Sequence, residues 1–264
     1  MKKLLGAIGR QTLLFFGRIY DASALTMDAM YWMLVAPVRG KGLRWHSSIE
    51  QMVVIGVNSI PLIAMLSMIV GMILALQGAY VLRPFGALIY VADLVGVTMT
   101  RELSPLVTAI IVTGRSGSAF AAEIGTMKVS EEIDALVTIG LNPIKFLVVP
   151  KLLAIIVMLP CLTMISNVVS MGGGLLVGVT LFKLGAVRYV NQTIGALILQ
   201  DIVTGLIKSF VFAIIIALVG CYEGFQVEGG AEGVGTHTTA SVVKSIVFII
   251  LADLIVTAFF FFFL

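Results

Sequence analysis

The chain has 264 residues, of which 59% are hydrophobic and only 12% charged. A soluble domain carries about 25% charged residues, so this composition excludes a water-facing globule and requires a polytopic membrane protein. The formal charge of +3 is small, gives no reason to expect a nucleic-acid partner, and matters less than where Lys and Arg fall.

Residues 1–50 precede the first full span. On a helix, Leu5, Ile8, Thr12, Phe15, Phe16 and Ile19 share one face, opposite Lys3, Arg10, Gln11, Arg18 and Asp21. That pattern predicts an amphipathic helix at the membrane interface. Leu4–Leu14 is interrupted by Gly6, Gly9, Arg10 and Gln11 and no small-residue cleavage site follows, so a signal peptide is not expected. Ala29–Val38 is apolar but short, and Pro37 stops it, which fits an interfacial or re-entrant segment.

Residues 51–264 read as one all-α domain of five transmembrane helices. The predicted spans are 53–82, 86–114, 147–182, 195–222 and 241–264, each above the ~20 residues that cross ~30 Å of hydrocarbon. Between the second and third lies a loop, 115–143, that begins in small residues. It holds Glu123, Lys128, Glu131, Glu132 and Asp134 interleaved with Ile124, Met127, Ile133 and Leu136. A short mixed-charge helix there is either a solvated connector or a docking helix for a partner. Gly172, Gly173, Gly174 and Gly178 contain a GxxxG spacing that permits close helix approach. Cys161 and Cys221 sit in apolar spans and read as small buried hydrophobes, with no disulfide expected.

With the N-terminus in the cytoplasm, Lys2, Lys3, Arg10, Arg18, Arg39, Lys41, Arg44, Arg115, Lys128, Lys145, Lys151 and Lys244 collect inside. Only Arg83, Lys183 and Arg188 collect outside. Twelve against three is a positive-inside bias, and it predicts a periplasmic C-terminus.

Four charged residues fall near the middle of predicted spans: Arg101 and Glu102 in the second, Lys208 in the fourth and Asp253 in the fifth. A charge at that depth costs about 2.5–3.5 kcal/mol on insertion scales, so each needs a partner or a cavity. Arg101 and Glu102 are neighbours, about 100° apart on a helix, so at least one must look elsewhere for its partner. The four form either a buried network that fixes helix packing or the polar floor of a greasy cavity suited to a charged amphiphile. Gln77, near the outer end of the first span, extends such a lining.

Several chemistries are absent from the sequence. No GxxxxGK[ST] string is present, and the glycine-rich Gly229–Thr236 contains no Lys. ATP and Mg, if used, belong to another chain, and no cofactor is expected here. Gly114-Arg115-Ser116-Gly117 matches the string around the nucleophile of rhomboid-type intramembrane proteases. That chemistry needs a base beside the Ser, and His46 and His237 fall in other segments. Two distant histidines suggest no metal site.

Three long motifs in order, TRELSPLVTAIIVTGRSGSAFAAEIGTMKVSEEIDAL (Thr100–Leu136), LNPIKFLVVPK (Leu141–Lys151) and GGAEGVGTHTTASVV (Gly229–Val243), resemble the MlaE family from about residue 45 onward. These are permease subunits of ABC systems that move phospholipid between the membranes of Gram-negative bacteria and, in relatives, chloroplasts. The resemblance implies a non-catalytic homodimer in the bacterial inner membrane that helps maintain outer-membrane lipid asymmetry. It further implies cytoplasmic ATPase subunits, often a STAS-domain protein, and a periplasmic MCE-domain lipid-binding assembly. An outward-facing lipid cavity would lie at the dimer axis. Arg101 and Glu102 match the family's cavity-lining pair, and Gln77, Lys208 and Asp253 fall at matching polar positions. Val129–Ile139 corresponds to the helix that couples to the ATPase, which makes Glu123, Lys128, Glu131, Glu132 and Asp134 candidate coupling residues. Asp134–Gly140 is similar to the EAA loop of ABC importers, with Asp and Leu in place of Glu and Ala. Thr236-His237 replaces a basic residue frequent in relatives. A passive lipid-binding scaffold for an MCE protein is the competing class.

Overall fold

The computed structural model describes residue 17, residues 20–35 and residues 44–263. Apart from Gly17, the amphipathic helix expected over Leu5–Ile19 lies outside the described residues, as do Pro37, Arg39 and Lys41. Among the described residues there is no strand. Five helical segments are long and apolar enough to cross a membrane: Trp45–Phe85, Leu88–Val129, Ile144–Thr180, Leu199–Phe225 and Gly230–Phe262.

A shorter helix, α1 (residues 20–35), precedes them and buries Leu25 and Ala29. The first span is made of α2 (Trp45–Ile55) and α3 (Ile60–Leu82), joined by a 3-10 turn. The joint falls at Gly56, where an added Cβ would lie 1.8 Å from Cε of Met158. At 1.5 Å per residue, the 23 residues of α3 cover roughly 34 Å, enough to cross alone.

The second span, α4 (Leu88–Val129), is one helical rod with two π-helical turns, Met99–Leu103 and Thr113–Gly117. Pro105 explains the first. It supplies no N–H to the carbonyl four residues back, and its ring crowds that turn, so the helix widens. The segment predicted as a loop from residue 115 is therefore helical as far as Val129. Its glycines are not breakers but points of close approach. A Cβ on Gly117 would meet Ile216 at 3.1 Å, and one on Gly125 would meet Val227 at 2.6 Å. The connection to the third span is correspondingly short and carries α5 (Glu132–Thr138).

The third span contains α6 (Val149–Thr180), which runs alongside α3 with backbones nearly touching. A Cβ on Gly71 would sit 2.0 Å from the carbonyl oxygen of Ser170, and one on Gly173 would sit 2.3 Å from that of Met68. Ser67 and Ser166 hydrogen-bond across this seam at 2.7 Å. Small residues at the contact and a hydroxyl pair are the usual cement where lipid removes the hydrophobic drive between helices. The glycine cluster divides its work: Gly174 and Gly178 abut Tyr189, whereas Gly172 faces open space.

A connecting helix, α7 (Ala186–Ala196), leads to α8 (Leu199–Phe225), and a turn through Gly229 and Gly230, both at positive φ, leads to α9 (Gly230–Phe263). The main core gathers Ile63, Val112, Phe120, Leu152, Leu159 and Phe212 at the centre of the bundle. A second, smaller core of Ala75, Val91, Val95, Met99 and Val177 lies toward the α7 end. Exposed Phe248, Leu251, Leu254 and Ile255 form the flank of α9, as expected for a face that meets lipid or another membrane helix. Cys161 and Cys221 are both free thiols.

Candidate functional site

Lys208 is the centre of the site. Its side chain is fully buried on α8, which approaches α4 so closely that a Cβ on Gly205 would lie 2.2 Å from the carbonyl oxygen of Thr100. That glycine, three residues before Lys208, lets the ammonium reach across. It pairs with Glu102 of α4 and, 2.8 Å away, with Asp253 of α9. It also donates to Thr257 Oγ1 at 2.7 Å. Asp253 and Thr257 stand four residues apart and so share one face of α9. Three spans thus converge on one cation.

Arg101 takes a different partner. Its guanidinium lies 3.7 Å from Oδ1 of Asp201 in the first turn of α8, and about a third of the Arg101 side chain remains exposed. The widened Met99–Leu103 turn therefore sends two neighbouring charges to two places, Glu102 inward to Lys208 and Arg101 toward the start of α8. Gln77 stands on an exposed position of α3, and no hydrogen bond joins it to these groups among the described residues. One turn from it is a groove of about 460 Å³ lined by Leu76, Ala79, Tyr80, Arg83, Pro84 and Phe182.

The candidate coupling residues separate into two sets. Glu123 binds Lys151, whose side chain is otherwise buried, at 2.6 Å. Lys128 donates to the carbonyl of Phe225 at the end of α8, also at 2.6 Å. Both tie the far end of α4 to its neighbours. Glu131, Glu132 and Asp134 are exposed on and just before α5, beside exposed Val137 and Ile139. Glu131 adopts a left-handed φ of 60° in the turn that separates α5 from α4.

Charged residues that the sequence did not single out also pair. Buried Glu223 accepts from Lys244 Nζ at 2.6 Å and faces His237 Nδ1 at 3.0 Å, around a polar pocket of about 210 Å³ at the α8–α9 turn. In α7, burial and the charge of Asp93 push the Tyr189 phenol up to about 12, and Gln192 donates to Asp93 at 2.9 Å. His46 pairs with Glu50. No hydrogen bond links either histidine to Ser116 among the described residues, so the nucleophile-and-base geometry a protease needs is not assembled. Asp201 and Thr257 join the site without being sequence candidates for it, for separate reasons. Asp201 lies near a predicted span end, where charge is unremarkable, and a Thr in a span is common; its i+4 spacing from Asp253 was the available signal.

A helical bundle of five spans whose second helix carries this Arg-Glu pair matches a known family model over residues 48–259, that of the permease MlaE. The chain belongs to the MlaE permease family. It is 36% identical to a probable ABC transporter permease protein of Rickettsia prowazekii, over 98% of this chain and 98% of that one. With a probable ABC transporter permease protein of Rickettsia typhi it shares 40% identity, over 79% of this chain and 80% of the relative. The chloroplastic protein TRIGALACTOSYLDIACYLGLYCEROL 1 of Arabidopsis thaliana is 37% identical over 85% of this chain and 64% of its own length. An MlaE-family member is a multi-pass transporter permease, and the relatives named as permeases accord with a membrane subunit that is not itself catalytic.

Proposed function

We propose that this MlaE-family permease conducts phospholipid through a bacterial inner membrane as a homodimer, driven by cytoplasmic ATPase subunits docked under α5. An MCE-domain lipid-binding assembly takes or delivers the lipid on the periplasmic side, a STAS-domain protein can accompany the ATPase, and the N-terminus is cytoplasmic. The system maintains the lipid asymmetry of the outer membrane. One observation carries the reading: Glu102, Lys208 and Asp253 meet at mid-span, Arg101 beside them turns to Asp201, and Arg101 and Glu102 stay partly open, at 35% and 32% exposure of their side chains. Charges needed only for packing would be expected to close completely, because each open group forgoes interaction energy in a low-dielectric medium. Partly open charges set among apolar helices suit a molecule with a charged head and apolar tails. The glycolipid word in the Arabidopsis relative's name accords with a lipid substrate.

The test is Glu102→Gln in the purified complex. Lys208 keeps Asp253 as its counter-charge, so the dimer is expected to assemble and melt close to wild type. Phospholipid retained per dimer and lipid transfer in proteoliposomes should both fall severalfold. Retained lipid and transfer at wild-type levels would rule out Glu102 as part of the lipid path.

A further inference from the structure

We infer that Asp201 is the positioning residue of Arg101, a buried counter-charge that aims the guanidinium at the phosphate of a lipid head group. The inference rests on the lipid-path reading above and adds a residue to it. Asp201 is almost wholly buried, with only 3% of its side chain exposed, and its two carboxylate oxygens have separate tasks. Oδ2 accepts from the backbone N–H of Ile198 at 3.3 Å, which locks the carboxylate into the first turn of α8. A negative side chain is favoured in that turn, where unpaired N–H groups and the helix dipole converge. Oδ1 is then left facing Arg101 at 3.7 Å.

The pairing is asymmetric. Asp201 is fixed by its own helix, whereas Arg101 stands on the widened Met99–Leu103 turn of α4 and remains about one third exposed. Arg has five N–H donors in a planar fork, and one contact at 3.7 Å leaves most of them free. A guanidinium held from behind by a fixed carboxylate, with its other donors open, is arranged for a second anion on its free side. Arg–phosphate pairs of this kind are often bidentate. Asp201 thus cuts the ordering cost of that contact without touching the lipid, which is what preorganisation means energetically.

The experiment compares Asp201→Asn, Arg101→Ala and the double variant of the full-length chain in nanodiscs, measuring binding of phosphatidylglycerol and of inorganic phosphate together with melting temperature. Asn still accepts from the Ile198 N–H, so Asp201→Asn should melt near wild type. Its phosphatidylglycerol affinity should fall about tenfold, the scale of one charge-assisted contact. The double variant should bind no more weakly than Arg101→Ala, because the carboxylate acts only through the arginine. It should also melt above Arg101→Ala, in which Asp201 is left buried without its counter-charge. Asp201→Ser, neutral and also able to accept at a helix start, repeats the test if the Asn variant does not assemble. Asp201 variants that bind like wild type while Arg101→Ala binds weakly, or a double variant whose losses add, would overturn the positioning role and leave the lipid path standing. Wild-type lipid binding in Arg101→Ala and Glu102→Gln alike would overturn both. Loss of inorganic phosphate binding with phosphatidylglycerol binding unchanged would make the site one for a soluble anion and overturn the lipid assignment.

Discussion

The Lys208 cluster and the short helix α5 use the same carboxylates in opposite ways. In the cluster, Glu102 and Asp253 stand among apolar helices and both turn to one buried ammonium. On α5 and the turn before it, Glu131, Glu132 and Asp134 are exposed and no cation pairs with them among the described residues. Hydrocarbon forces charges to find each other, so a mid-span charge reports where helices meet. Water imposes no such demand, so an exposed acidic residue says little about the fold and stays available to a partner. Glu123 and Lys128 belong to the first kind although they lie close to the second in sequence, since each is tied to a neighbouring element.

The largest effect should come from removing the cation. Lys208→Met leaves half-buried Glu102 and Asp253 facing each other without their cation, at a cost of up to about 3–5 kcal/mol. Yield and melting temperature in detergent should collapse, and adding Glu102→Gln and Asp253→Asn should restore most of both. A Lys208→Met protein that melts like wild type would break the contrast, because the cluster would then behave as a surface group.

A smaller loss is expected at the α3–α6 seam. Gly173→Ala drives a Cβ to 2.3 Å from a backbone oxygen, which cannot move aside as a flexible side chain would, and should cost about 1–3 kcal/mol. Gly172→Ala, beside it but facing open space, should stay within about 0.5 kcal/mol. Melting curves of the two variants side by side check this. Equal losses would mean that the glycines matter for something other than helix approach.

Smallest in stability, and most specific in function, is the pair Glu131→Lys with Asp134→Lys. Both side chains are exposed, so melting should shift by no more than about 0.5 kcal/mol. Copurification of the ATPase subunit should nevertheless fall. A variant that keeps its ATPase at wild-type stoichiometry would remove α5 from the docking surface.

Much of this was legible in the residues alone. The depths of Glu102, Lys208 and Asp253 along their spans anticipated that these groups could meet, because helix rise converts residue count into depth. The neighbours Arg101 and Glu102 had to diverge, since adjacent helical positions point apart, and they do. The extent of α4 was not legible. Gly114, Ser116, Gly117 and Gly125 look like loop punctuation, yet Gly117 and Gly125 admit Ile216 and Val227 from elements far along the chain. Which carboxylate Arg101 would take was equally hidden, because Asp201 comes within reach only through the close packing of α8 on α4.

By itself, then, the sequence determined the solvent of this protein, the number of its spans and the depth of its charges. Those follow from local properties, namely apolar run length, Lys and Arg placement and a fixed rise per residue. The tertiary structure alone decided which charges became partners, that Glu123 and Lys128 brace the bundle while Glu131, Glu132 and Asp134 are exposed, and that Gly117 and Gly125 admit neighbouring side chains instead of ending α4. The physical reason is that rotation and approach of one helix against another are set by side chains distant in sequence, and a displacement of a few ångströms separates an ion pair from an isolated charge.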